Sequence, residues 1–163
     1  MTGKEVQILL VEDDPADIEL TLHVMRREGL ANTIEVVRDG EEALDYLFCR
    51  GPYSDRQPDQ PPRLVLLDLK LPKVDGLEVL RAMKDDPRTR LVPVVILTAS
   101  REEQDIVEGY RLGVNSYIQK PVDFEQFRQT IKQIGLFWLV INVPPPPGAF
   151  ATTVTPPPST PPR

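Results

Sequence analysis

The side chains of this sequence best equipped for chemistry are the acids Glu12-Asp13-Asp14, a further acid at Asp68, the hydroxyl of Thr98 and the ammonium of Lys120. Each stands at or just after the end of an aliphatic run, so a fold that gathers the ends of those runs gathers these groups. Carboxylates crowded together repel one another, and without a positive partner they suffer raised pKa values and a loss of stability. A hard divalent cation with oxygen ligands answers that need. Mg2+ in particular binds through one or two carboxylates together with waters and phosphate oxygens. Lys120 supplies a second positive charge. A carboxylate held between such an ion and a lysine is a nucleophile toward phosphorus, which makes Asp68 the candidate for an acyl phosphate. Phosphoryl transfer spreads negative charge over three equatorial oxygens, so positioning and neutralisation dominate, with the Thr98 hydroxyl as the obvious added donor. The Lys120-Pro121 bond is expected to be cis, a geometry that only X-Pro bonds reach cheaply, to aim the lysine inward.

The elements that must position these groups can be read from the pattern. Aliphatic runs at Gln7 to Val11, Thr33 to Val37, Leu64 to Asp68, Val92 to Thr98 and Ser116 to Gln119 are mostly too short for helices and predict five strands. Helical patterns with start signals lie between them, at Asp14-Pro15, Asp39-Gly40 and Asp75. Two more follow: Arg101 to Leu112 closed by Gly113, and a long one from Asp123 with Phe124, Phe127, Ile131, Ile134 and Trp138 on one stripe. Strict alternation, with strands apolar on both faces, predicts an α/β fold with a doubly wound parallel sheet. Ligands bind such sheets beyond the carboxyl ends of the strands, where the acids, Thr98 and Lys120 fall.

With those positions in hand, Glu12-Asp13, the run Asp68-Leu69-Lys70-Leu71-Pro72-Lys73-Val74-Asp75-Gly76, Thr98-Ala99 and Lys120-Pro121 together resemble the response-regulator receiver family over residues 7 to about 134. The resemblance implies a flavodoxin-like sheet of strand order 2-1-3-4-5 with five helices. It implies that Asp13 and Asp68 bind Mg2+ directly with the backbone carbonyl of Lys70, that Glu12 holds a bound water, and that a sensor histidine kinase supplies the phosphoryl group. It further implies a switch in which Thr98 is drawn toward the phosphoryl group and Tyr117 turns inward behind it, read out on the fourth and fifth helices. The loop after the second helix and the run Gly135 to Pro144 resemble more narrowly the phytochrome-associated single-domain regulators. That implies a red-light photoreceptor kinase as partner and a C-terminal extension that helps form a dimer.

Other readings are weaker. A dehalogenase-type phosphatase wants a second Asp where Lys70 stands, and a flavodoxin-type carrier wants a hydroxyl-rich phosphate loop where this chain has acids. A receiver-like module that docks and dimerises without being phosphorylated is the main rival. Asp14 and Asp75 read as helix caps, His23 as a surface residue, and Met83 and Tyr110 as core. Cys49 is the sole cysteine and reads as a half-buried helix residue, with no disulfide or metal partner.

In 163 residues there is room for one well-packed core, here residues 1-143. A net charge of -6 with no concentrated basic cluster argues against nucleic acid as a partner. The start lacks a signal-peptide layout and no apolar run approaches the roughly 20 residues of a membrane span, so a cytoplasmic protein that contacts no membrane is expected. Arg50 to Arg63, rich in Pro, Asp and Gln, reads as an exposed loop. Residues 144-163, dominated by Pro, read as an extended arm. Leu136 to Ile141 is apolar all round, more than one domain can cover, and points to a homodimer that buries Phe137 and Trp138. The alternative is a strand-like continuation that folds back on its own domain.

Overall fold

A computed structural model describes residues 6–30 and 33–150. The expectations for residues 1–5 and for the arm beyond Phe150 lie outside the described residues. Strands β1 (Ile8–Val11), β2 (Ile34–Val37), β3 (Leu64–Leu67), β4 (Val94–Thr98) and β5 (Ser116–Gln119) alternate with helices α1 (Pro15–Arg27), α2 (Gly40–Leu47), α3 (Gly76–Asp85), α4 (Glu103–Arg111) and α5 (Phe124–Gly135). The sheet is parallel throughout, in the order β2-β1-β3-β4-β5. This is the flavodoxin-like architecture expected of the sequence. β4 starts later than its aliphatic run because Pro93, lacking an N–H, can accept from Val65 but cannot donate to the ladder.

Alternation along the central strands divides the core. Leu9, Val11, Val65, Leu67, Val94 and Ile96 face α2, α3 and α4, while Ile8, Leu10, Leu64, Leu66, Val95 and Leu97 face α1 and α5. Both faces of β1, β3 and β4 are buried, which explains why those strands read as unbroken aliphatic runs. Helix starts follow the capping signals. Asp14 accepts from the Ala16 and Asp17 amides, Asp39 from Glu42, Asp75 from Leu77 and Asp123 from Gln126. Gly135 lets α5 press against α1, since a Cβ there would meet the Met25 sulfur at 2.7 Å.

The last helix departs from a simple stripe. After Gly135 the backbone widens into a π-helical turn, Leu136–Ile141, closed by the Asn142 amide on the Phe137 carbonyl at 2.6 Å. The wider turn advances the buried position by one residue, so Leu139 is buried and Trp138 is only half-buried. Phe124, expected on the same stripe, is 65% exposed. Tyr110 is likewise not core but 56% exposed, because α4 turns Gly109, not Tyr110, onto Ile96. Met83 is fully buried and His23 exposed, as expected.

Cys49 is half-buried but lies past the end of α2, with a positive φ of 56°. The loop that follows is anchored. The Arg56 guanidinium lies 3.7 Å over the Tyr46 ring and donates to the Tyr46 and Gln60 carbonyls, and the Tyr53 hydroxyl donates to Glu42 at 2.8 Å. Residues 144–150 run back along the domain, where Pro144, Pro145, Pro147 and Phe150 share a cavity with Pro62, Arg63 and Pro93, and Phe150 is buried in the α2–α3 side of the core. Among the described residues no helix is long and apolar enough to cross a membrane.

Candidate functional site

Parallel pairing in register brings the carboxyl ends of β1, β3, β4 and β5 to one edge. Glu12 and Asp13 follow β1, Asp68 follows β3, Thr98 ends β4 and Lys120 follows β5. Thr98 is fully buried, Glu12 and Asp68 are buried, and Asp13 is exposed at the rim. One Asp68 oxygen accepts from the Leu69 amide at 2.7 Å and the other from Lys120 at 3.0 Å.

The Lys120 ammonium sits among three carboxylates: Glu12 at 2.6 Å, Asp17 at 2.9 Å and Asp68 at 3.0 Å. Burial works against its charge, but the bonds to Asp17 and Glu12 and the nearby Asp68 outweigh that, and its pKa lies above the ordinary lysine value. Burial also opposes ionisation of Asp68, yet the Thr98 hydroxyl and the Lys120 ammonium prevail and hold its carboxyl below the ordinary value. Glu12 goes the other way. Burial and the neighbouring Asp68 push it up to about 7 despite Lys120. The two buried acids are thus pushed in opposite directions, Asp68 down by its hydrogen-bond partners and Glu12 up by burial and the neighbouring Asp68 charge.

Glu12, Asp13 and Asp68 can each direct a carboxylate oxygen to one point, with these atoms within 4.8 Å of one another. An all-oxygen set of acids, partly open to solvent through Asp13, suits Mg2+ or Mn2+ and not a soft metal. The residues present fit the ion that the sequence implies.

At this edge of the sheet the structure corrects one further expectation. The Lys120-Pro121 bond is trans, as are all described peptide bonds. No unusual turn is needed to aim the lysine, because the Lys120 amide donates to the Thr98 carbonyl at 2.7 Å and so continues the β4–β5 ladder straight to the site.

Tyr117 is half-buried on β5, and its hydroxyl donates to the Ser100 carbonyl at 3.2 Å in the loop after β4. Ser100 in turn donates to Asp105 at 2.6 Å, and Lys70 reaches Asp105 at 3.6 Å across the mouth of the site. Phe137 and Trp138 lie away from this edge, their rings edge to face at 5.1 Å. Sequence reasoning missed Asp17, Ser100 and Asp105. Asp17 was visible only as an acid in the first turn of a helix, where any acid is favoured.

A family model described as the response regulator receiver domain matches residues 8–132. The chain belongs to this family. Among curated relatives, the response regulator Rcp1 of Synechocystis is 39% identical over 81% of this chain and 88% of its own length. The probable methanogenesis regulatory protein FilR2 of Methanothrix harundinacea is 44% identical over 85% and 86%. Among solved structures, the phosphorylated cyanobacterial phytochrome response regulator RcpA superposes with a TM-score of 0.81 at 41% identity, covering 88% of this chain and all of RcpA. The bacteriophytochrome response regulator AtBRR is 54% identical with a TM-score of 0.66, over 86% of this chain and all of its own. The protein is therefore a response regulator whose relatives include phytochrome response regulators, and its acidic pocket matches a family in which Rcp1 is solved with Mn2+ bound.

Proposed function

We propose that this receiver takes a phosphoryl group onto Asp68 from the phosphohistidine of a sensor kinase. The observation that carries the reading is the setting of the Asp68 carboxylate: buried at the end of β3, touched by Lys120 at 3.0 Å and within reach of two further acids. An Asp68 oxygen attacks phosphorus as the bond from phosphorus to the donor imidazole breaks, and the imidazole leaves with the electron pair and takes up a proton. A divalent ion held by Asp13 and Asp68, with the Lys70 carbonyl and a water on Glu12, would neutralise the phosphoryl oxygens. Lys120 offers its N–H donors to the charge that develops beside Asp68. The Thr98 hydroxyl, buried next to the carboxylate, donates to the new phosphoryl group and draws the β4–α4 loop inward. That loop is held by Tyr117 through Ser100, so Tyr117 is the residue whose position reports the event.

The partner is a phytochrome-type kinase, on the strength of the solved relatives described as phytochrome and bacteriophytochrome response regulators. The protein works as a homodimer through Leu136 to Ile141, where Phe137, Val140 and Ile141 are 47%, 62% and 60% exposed, an apolar surface this domain does not cover. Incubation with acetyl phosphate and Mg2+ tests the central step. A base-labile adduct of one phosphoryl group, lost in Asp68→Asn, is expected. An unmodified wild-type protein would favour the rival docking module.

A further inference from the structure

We infer that Asp17 is a positioning residue of the phosphoryl-transfer site, acting through Lys120; the inference rests on the function proposed above. An ammonium has three N–H donors, and here each has a carboxylate partner: Glu12, Asp68 and Asp17, on β1's end, β3's end and the first turn of α1. Only Asp17 lies outside the acidic cluster that can share a cation.

Asp17 is free for this task because the helix start is served by another residue. Asp14 caps α1 through the Ala16 and Asp17 amides, and the first-turn backbone is further engaged when the Thr21 hydroxyl donates to the Asp17 carbonyl at 2.8 Å. The Asp17 carboxylate therefore turns away from its own helix and reaches Lys120 across the fold. Its rigid mounting matters: a lysine carries about 2 kcal/mol of rotamer entropy, which a fixed partner removes before the reaction begins.

The chemistry also needs a partner that does not change. Before transfer, Lys120 donates to an Asp68 oxygen. Once that carboxylate becomes an acyl phosphate, this contact must pass to a phosphoryl oxygen, and Glu12, which could also help hold a divalent ion, would be shared between the two cations. Asp17 is the one carboxylate whose bond to Lys120 can persist unaltered through the exchange. It keeps the ammonium at the mouth of the site while the other two partners rearrange.

Initial rates of phosphorylation by acetyl phosphate at saturating Mg2+ test the assignment. Asp17→Asn is expected to slow the reaction about fivefold to tenfold, as the loss of one positioning contact on a catalytic group does. Asp17→Glu, which retains the charge, restores at least half the rate. In a Lys120→Met background, measured with concentrated acetyl phosphate, Asp17→Asn causes no further drop, because the residue acts only through the lysine. Equal rates for Asp17→Asn and wild type would overturn the inference, as would the same fold loss with or without Lys120, or a loss in Asp17→Asn that Asp17→Glu does not relieve. A wild-type protein that takes up no phosphoryl group would instead defeat the parent reading on Asp68.

Discussion

Gly76 touches Asp68: a Cβ built on Gly76 would stand 2.2 Å from the Asp68 carbonyl oxygen and 2.7 Å from the Leu69 Cα. The first turn of α3 is packed directly on the backbone that carries the candidate phosphoacceptor, and the Gly76 amide donates to the Leu69 carbonyl at 2.9 Å. Since these clashes are with main chain, which cannot rotate away, Gly76→Ala must push α3 or β3 aside. A loss of about 1 to 3 kcal/mol is expected, seen as a lower denaturant midpoint. Phosphorylation by acetyl phosphate falls more than the stability loss explains, because Asp68 itself is displaced.

Among the described residues, Lys120 is the sole ammonium that contacts the buried acids. Lys120→Met keeps the length of the side chain but leaves Glu12, Asp17 and Asp68 uncompensated, and a loss of about 3 to 5 kcal/mol is expected for a buried charge set stripped of its partner. Urea unfolding without divalent ions measures it. Mg2+ should recover much of the loss, since a second cation then answers the same repulsion.

Divalent ions are themselves a test of the acid cluster. Binding to the folded state alone adds about 2.7 kcal/mol when the ion is at a hundredfold its Kd, so Tm rises with Mg2+ or Mn2+. Asp13→Asn should abolish most of that rise. Without metal the same variant is no less stable than wild type, because it removes one like charge from beside Glu12 and Asp68. A Tm that ignores both ions would count against a metal site here.

What could be read in advance follows from where the signal lies. Asp13, Asp68, Thr98 and Lys120 were legible because each ends or follows a short aliphatic strand, and a parallel sheet has only one carboxyl edge. The helix starts were legible through Asp14, Asp39, Asp75 and Asp123, whose side chains serve the local backbone. Asp17 was not, since its partner is distant in sequence and its own position in a first turn looks ordinary. Phe150 was hidden in a proline-rich segment whose composition favours extension, yet it buries its ring in the core. The shift from Trp138 to Leu139 was hidden too, because an apolar run looks alike whichever residue a π turn buries.

Asp86 offers a pH-dependent check remote from the site. Both of its oxygens accept from the Arg88 guanidinium, at 3.0 and 2.8 Å, and one also from the Arg88 amide at 2.8 Å, which holds the carboxyl below its ordinary value. A folded-state pKa lowered in this way gives stability above the unfolded carboxylate pKa of about 4, and that stability is lost as pH falls through the folded value. Asp86→Asn should therefore cost about 1 kcal/mol at neutral pH and progressively less in acid. Chemical denaturation between neutral and strongly acidic pH would show the two curves converging. A gap that widens in acid would contradict the ion pair.

The C-terminal apolar run divides between the core and the face proposed for the dimer, so packing and the proposed association can be tested separately. Trp138 and Leu139 pack on the α1–α5 side of the core, whereas Phe137, Val140 and Ile141 point outward from the same turn. A charge at an outward position should leave the fold intact and break a dimer: Val140→Glu is expected to run as a monomer in light scattering at concentrations where wild type is dimeric, with Tm little changed at low protein concentration. Leu139→Ala should do the reverse, costing about 2 to 5 kcal/mol as a buried leucine truncation while the outward face stays in place. Wild type that remains monomeric at high concentration would remove the dimer from the proposed function and leave the phosphoryl chemistry at Asp68 standing, since the two surfaces share no residue.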